Sequence, residues 1–303
     1  MKKAGLVSVL IILMLIPVIA GRAKEEFPQL EGPYLGQKPP DLTPQPFAPR
    51  IITTPENEGS SGFALDGTVF IFQRFLGSEC HTFIMRLKDG RWTIPELIPF
   101  WKTMVHNGDF VISSDDRTML YQVKTETGSG LDSNIWRVEI TASGWGEREP
   151  LPSPVNTAFD ESFASEAADK SIYFFSRRPG GKGLSDLYMC AFKDGAYTNP
   201  VNLESLNSEA HEWDPFIAPN ESYLIFCSTR PGGLGGDDFY ISFKGEDGGW
   251  TKPLNMGEKI NSPGSENRPT VTRDGRYFFF TTTREGNRDI SWVGAAFLDR
   301  FKK

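Results

Sequence analysis

Apolar residues along this chain come in short runs, rich in Phe, Tyr, Ile and Val, that stop at clusters of Gly, Asn, Asp or Pro. Ile172-Tyr173-Phe174-Phe175 and Tyr223-Leu224-Ile225-Phe226 are typical. Aromatic and β-branched residues bounded by turn formers predict strands. The runs are not scattered. One pattern recurs: a short strand, a turn, an aromatic strand, a Gly-rich loop, another strand, a turn, then an aromatic residue and a Pro. The clearest copy is Pro215-Phe216-Ile217, Tyr223 to Phe226, Arg230-Pro231-Gly232-Gly233, Asp238-Phe239-Tyr240, Trp250 and Pro253.

First-strand landmarks at Phe63, Phe110, Phe163, Phe216 and Thr270 are 47, 53, 53 and 54 residues apart. Aromatics opening the fourth strand, at Trp92, Trp145, Tyr197 and Trp250, are 53, 52 and 53 apart. Two independent landmarks with one period, and four short strands per unit, predict an all-β, five-bladed β-propeller with four-stranded antiparallel blades. The units cover about 56–103, 104–155, 156–206, 207–260 and 261–298 within a domain of 47–303. The fifth lacks its fourth strand, so residues 47–54, with Phe47-Ala48-Pro49, are expected to complete that blade and close the ring, removing an open sheet edge.

Ahead of this lie two other segments. Residues 1–23 read as a secretory signal peptide: Lys2 and Lys3, an uncharged apolar stretch, then cleavage after Ala20 or Ala23. Residues 24–46 are Pro-rich and expected to be extended over the surface. The expected product is exported, periplasmic or secreted, without a membrane span in the mature chain and with no lipobox cysteine. Three cysteines, Cys80, Cys190 and Cys227, lie in or beside strands and read as buried thiols, not as a disulfide framework. A net charge of −7 without an internal basic run excludes nucleic acid as a partner.

The segments Arg178-Pro179-Gly180-Gly181-Lys182-Gly183-Leu184-Ser185-Asp186-Leu187-Tyr188 and Thr272-Arg273-Asp274-Gly275-Arg276-Tyr277-Phe278-Phe279-Phe280 resemble the WD-like propeller repeats of bacterial TolB-type exported proteins. That resemblance runs from 47 to 297 and implies architecture; such repeats occur in binding proteins, lyases and peptidase accessory domains alike. The first two repeats depart from it, with Arg74-Phe75-Leu76-Gly77 and Lys124-Thr125-Glu126-Thr127 in place of Arg-Pro-Gly-Gly.

Residues that recur once per blade are expected to be scaffold. Asp-Gly pairs at Asp66-Gly67, Asp89-Gly90, Asp194-Gly195 and Asp274-Gly275 supply hairpin turns. Arg178 with Asp186, Arg230 with Asp238, and Arg284 with Asp289 are expected to pair across a hairpin or to satisfy loop backbone groups. His81 stands where the other blades have that Asp. Function is expected where repeats differ, on the links from each fourth strand to the next first strand. Strand parity puts these on one face, rimming the channel. There the candidates are His106, Asp109, Asp160, Glu161, His211, Glu212, Trp213, Asp214, Glu266 and Arg268. An acidic rim with histidines and a Trp suits a sugar or a divalent cation; no cofactor is predicted.

No nucleophile elbow, zinc-protease motif, phosphate loop or dinucleotide fingerprint is present in the sequence. The expectation is therefore a monomeric, non-catalytic binding module that recognises an envelope protein or an oligosaccharide through the rim. The alternative is a carbohydrate-active enzyme, a polysaccharide lyase or glycoside hydrolase, using rim carboxylates and histidines. A purely architectural envelope protein is a third reading.

Overall fold

The computed structural model describes residues 27–103, 107–127 and 130–302. The fold is all-β, a five-bladed propeller. Blade 1 comprises Asn57–Ala64, Val69–Leu76, Glu79–Lys88 and the short Glu96–Leu97, with Arg91–Trp92 also paired to its third strand. Blade 2 comprises Asn107–Ile112, Thr118–Thr127, Gly130–Ile140 and Trp145–Pro150. Blade 3 comprises Glu161–Glu166, Ile172–Ser176, Asp186–Cys190 and Val201–Asn202. Blade 4 is Glu212–Ile217, Tyr223–Ser228, Asp238–Phe243 and Leu254–Asn255. Blade 5 takes Glu266–Val271, Tyr277–Thr282 and Asp289–Gly294 from the C-terminal side and Gln45–Pro46 from the N-terminal side.

Closure is by antiparallel pairing of Gln45 with Trp292 and Pro46 with Ser291. Phe47 adds an N–H bond to the Ile290 carbonyl at 2.9 Å. The pairing thus runs through 45–47, starting two residues ahead of the expected segment. Phe47 itself is fully buried and packs edge-on against Phe279 and Trp292, so the aromatic marks the closure as hydrophobic anchor. The preceding segment strengthens the same seam. Tyr34 packs on Phe63, Tyr277 and Trp292, and the Trp92 indole N–H donates to the Gly32 carbonyl at 2.8 Å.

Period-two alternation explains the core. Phe278 and Phe280 face blade 4, joining Phe239 and Ile241, while Phe279 between them faces blade 1, joining Phe70 and Phe72. The other seams repeat this: blades 1 and 2 meet through Ile71 and Phe110, blades 2 and 3 through Ile135 and Phe174, blades 3 and 4 through Tyr173 and Phe226. Each middle strand is apolar on both faces because it is covered on both. That is why the runs read as unbroken aromatics. Cys190 and Cys227 are buried free thiols in two of these seams.

Polar residues set the inner strands. Glu58, Glu161, Glu212 and Glu266 open these strands, and each is 0% exposed. Four residues upstream stands a Thr or Ser whose N–H and hydroxyl both donate to the carboxylate: Thr157 to Glu161 at 2.8 and 2.5 Å, Ser208 to Glu212 at 2.8 and 2.6 Å, Ser262 to Glu266 at 2.8 and 2.5 Å. A hydroxyl from the second strand adds a further bond, from Ser228 to Glu212 at 2.8 Å and from Thr282 to Glu266 at 2.7 Å.

The repeated arginines complete this clamp. Arg178 reaches Glu161 at 2.9 Å and the Val155 carbonyl at 3.0 Å; Arg230 reaches Glu212 at 3.0 Å and the Leu206 carbonyl. Arg284 bonds the Ile260 carbonyl at 2.8 Å. In blade 1 Arg74 sits at the position of Ser176 and Ser228, yet its guanidinium still reaches Glu58 at 3.2 Å and the Ile52 carbonyl at 2.7 Å. Arg74, Arg178 and Arg230 therefore pair with the buried glutamates of the inner strands, not with Asp186 and Asp238, while Arg284 holds backbone carbonyls alone. Those aspartates satisfy the loop backbone: Asp186 accepts from Lys182 and Gly183 N–H, and Asp238 from Leu234 N–H. The loop glycines have two separate jobs. Gly180 and Gly232 sit at φ +91° and +93°, while a Cβ on Gly181 or Gly233 would fall within 2.0 Å of the aspartate carboxylate. Asp289 and His81 occupy the same register position in blades 5 and 1, opposite Thr282 and Arg74.

Truncating an arginine of the clamp would strand a buried carboxylate. Arg230→Ala is expected to cost about 3–5 kcal/mol in urea unfolding. A loss under about 1 kcal/mol, as for a surface pair, would refute this role.

Candidate functional site

All five inner strands break register just inside the channel mouth: between Glu58 and Ser61, Asn107 and Phe110, Ser162 and Ser165, Trp213 and Phe216, and Asn267 and Thr270. A bulge bends the strand and re-aims a side chain. Three bulge residues take a left-handed backbone, Phe163 at φ 42°, Asp214 at 48° and Arg268 at 57°. Their counterparts are Ser60 and Asp109. Two residues earlier four of the five blades carry the clamp glutamate, but at this position the five blades carry five residues of four kinds.

Across the axis these residues bond to one another. Arg268 Nε donates to Asp109 Oδ1 at 2.6 Å, joining blade 5 to blade 2, which are not neighbours in the ring. The Arg268 backbone N–H donates to Asp214 Oδ2 of blade 4 at 3.1 Å, and Ser60 Oγ of blade 1 donates to Asp109 Oδ1 at 3.3 Å. This network closes the channel. On one side lies a small, mainly apolar cavity of about 100 Å³ lined by Phe63, Ile112, Phe216, Ile217 and the Thr272–Gly275 turn. On the other lies a mouth of about 520 Å³.

The larger mouth is lined by link residues (Asp109, Asp160, Ser162, Trp213, Asp214, Asn267, Arg268) together with strand and loop residues (Gln122, Lys124, Ser133, Phe175, Arg177, Asp237, Arg288). Links and second-to-third loops share one face and the Asp-Gly turns the other, as strand parity requires. Four carboxylates, Asp109, Asp160, Asp214 and Asp237, face four cations, Lys124, Arg177, Arg268 and Arg288. Trp213 is half-buried and stacks on His211, ring centroids 5.0 Å apart and 27° between planes. His211 Nδ1 lies 3.1 Å from Ser185 Oγ, which fixes that ring behind the Trp.

Burial shapes the acids here. Asp214 is pushed up to about 7, first by desolvation and then by the charge of Asp109, with Arg268 opposing both. Desolvation also raises Asp237, against a hydrogen bond from Ser265. Arg268 is held firmly charged: burial works against it, but Asp109 and Asp214 outweigh that. Arg288 is lowered, first by burial and then by its neighbour Arg268.

Of the ten candidates read from the sequence, Asp109, Asp160, Trp213, Asp214 and Arg268 line the mouth, and His211 backs it. Glu161, Glu212 and Glu266 do not reach it; they are the buried clamp acids. His106 lies outside the described residues. Among the described residues, no group of three or more His, Cys, Asp or Glu side chains is placed to hold a metal ion. Sequence reasoning missed Gln122, Phe175, Arg177, Asp237 and Arg288. Gln122 donates to both Ser133 Oγ and Ser162 Oγ, at 2.7 and 2.8 Å, tying the mouth of blade 2 to blade 3. Lack of repetition was the available signal at one register position: Ser133, Ser185, Asp237 and Arg288 directly precede Asn134, Asp186, Asp238 and Asp289, which oppose Val123, Ser176, Ser228 and Thr282 of the second strands.

No protein-family model matches this sequence, and no curated protein does either. Solved structures do share its fold. A glycoside hydrolase superposes with a TM-score of 0.56 at 14% identity, over 86% of this chain and 93% of that one. TolB from Acinetobacter baumannii gives 0.50 at 16% identity, over 81% of this chain and 53% of TolB. An alpha-L-arabinofuranosidase from Lactobacillus brevis gives 0.50 at 14%, over 80% and 92%. The likeness is one of fold. This chain spans about half the length of the TolB chain, and nearly all of the two hydrolases.

Asp214 makes a pH-dependent stability difference testable. Its carboxyl binds a proton more tightly folded than unfolded, so between about pH 4 and 7 folding takes up a proton and this site's contribution falls as pH rises. Asp214→Asn has no such dependence. In urea unfolding the variant should gain on the wild type as pH rises from about 4 to 7, with the gap flat above that. A gap constant across the range would show Asp214 to be an ordinary carboxylate.

Proposed function

We propose that the channel mouth is a carbohydrate-binding site and that this protein is a glycan-recognising propeller. One observation carries the reading. A mouth of about 520 Å³ combines two half-buried aromatic faces, Trp213 and Phe175, with amides, hydroxyls and matched charges. A sugar ring offers C–H groups on its faces and hydroxyls around its edge. Aromatic platforms take the former, and Gln122, Asn267, Asp160 and Arg177 suit the latter. The volume lies in the range of small-ligand pockets, roughly 300–1,000 Å³. Propeller folds shared with a glycoside hydrolase and an arabinofuranosidase support a sugar over a peptide. An exported location, expected from residues 1–23, would put the site among polysaccharides.

Glycoside hydrolysis is the second reading, and Asp214 favours it. A carboxyl protonated near pH 7 is what a general acid needs, and the nearby Asp109 would be the second carboxyl group of the pair. Against it, Asp109 is committed to Arg268 at 2.6 Å, and Asp214 is buried with Oδ2 accepting the Arg268 N–H. Both acids are structural members of the channel closure, so binding without turnover fits the geometry better.

Titration calorimetry with xylo-, arabino- and galacturono-oligosaccharides tests this. Trp213→Ala should weaken binding by about tenfold or more while shifting Tm by no more than about 2 °C. Binding by none of these sugars would sink the carbohydrate reading. Release of reducing ends, lost in Asp214→Asn, would replace it with the hydrolase.

A further inference from the structure

We infer that the sugar taken at this mouth carries a carboxylate, as a uronic acid does, and that Arg288 is the residue that reads it. This rests on the carbohydrate reading above and narrows it to a substrate class.

The arginines of the clamp and of the mouth are otherwise matched. Arg74, Arg178 and Arg230 have buried glutamates, Arg284 has backbone carbonyls, Arg268 has Asp109, and Arg177 has Asp160 at 3.4 Å. Arg288 is the exception at the mouth. It forms no described ion pair, and its Nε is buried without a hydrogen-bond partner. Its guanidinium lies over the Phe75 ring, 5.6 Å from the centroid. The backbone holds it in place, since Arg288 N–H donates to Asn57 Oδ1 at 2.9 Å and its carbonyl accepts from Glu58 N–H at 2.7 Å. A desolvated donor with nothing to bond is unfavourable until an acceptor arrives.

The charge balance of the mouth points the same way. Asp109 is neutralised by Arg268, Asp160 is paired with Arg177, and Asp214 is shifted toward its neutral form. That leaves Arg288 and Lys124 as cations without a described carboxylate partner, against Asp237. The planar guanidinium fork matches a carboxylate through two parallel bonds. Phosphate would offer the same fork, but its second charge would exceed the one positive charge left over when Arg288 and Lys124 are set against Asp237. A single negative charge suits a site with one unmatched arginine.

The methyl glycoside of galacturonate and its methyl ester differ by one charge with nearly the same shape. Calorimetry should show the acid binding at least about tenfold more tightly than the ester. Arg288→Ala should bring the two affinities together, Arg288→Lys should keep part of the preference, and both variants should melt close to the wild type. Trp213→Ala should weaken acid and ester alike. Equal binding of acid and ester by the wild type, or a preference untouched in a folded Arg288→Ala, overturns the inference and leaves the sugar site standing. Failure of acid, ester and neutral oligosaccharides together removes the carbohydrate reading itself. Arg288-dependent binding of polyglutamate without sugar binding would overturn the inference in favour of an acidic protein partner.

Discussion

A carboxylate with no exposed surface can sit at the start of a strand only if every lone pair finds a donor. Glu161 and Glu212 meet that condition with the same set: N–H and hydroxyl of the residue four back, a hydroxyl from the second strand, and an arginine. The arginine also bonds a carbonyl of the link, so one cluster ties together the incoming link, the inner strand and the second-to-third loop. Blade seams supply nondirectional burial, which alone would tolerate sliding. In blades 1, 3, 4 and 5 the clamp holds the inner strand at the height where it enters the channel, just ahead of its bulge.

From that fixed height the asymmetry of the site follows. Each strand delivers its bulge residue to the axis, and the five residues there differ: Ser60, Asp109, Phe163, Asp214 and Arg268. Fivefold repetition at this point would have crowded like charges onto the axis, which is unfavourable at short range and low polarity. One arginine between two aspartates resolves it and leaves the channel closed. Blade 2 is the odd member. It has Asn107 where the others have the clamp glutamate and Val123 opposite, and it supplies the Asp109 that Arg268 crosses the axis to reach.

Architecture was legible in the sequence because a period of about fifty residues imposes itself on every landmark. Even the substitution of His81 for the blade aspartate fell at the right register. The site was legible only in part, for a specific reason. Link segments could be named from the repeat, which brought in Asp109, Asp160, Trp213, Asp214 and Arg268. Which way each residue turns could not, because the bulge shifts alternation by one and moves the glutamates behind the strand while aiming their neighbours forward. Of the two roles that the sequence left open for Arg178 and Asp186, pairing with each other or satisfying backbone groups, Asp186 takes loop N–H groups and Arg178 takes the Val155 carbonyl together with Glu161. Gln122 and Phe175, in second strands, gave no signal: Gln122 has Gln73 at the same register position in blade 1, and Phe175 reads as one more aromatic of its run.

Failing to repeat is itself physical information in a pseudo-symmetric ring. A position constrained by packing or by the clamp sees the same surroundings in each blade and converges on one residue type. A position facing the channel mouth sees no repeated neighbour, so nothing in the scaffold selects its identity. The register position just before Asn134, Asp186, Asp238 and Asp289 shows this well, with Ser133, Ser185, Asp237 and Arg288 in blades 2 to 5. Asp237 and Arg288 there carry opposite charges on adjacent blades, and neither is matched by a partner that the scaffold repeats. Residues of that kind, desolvated yet unexplained by the fold, are where a ligand remains to account for the chemistry. Arg288, with a buried donor unmet, is the strongest instance in this protein.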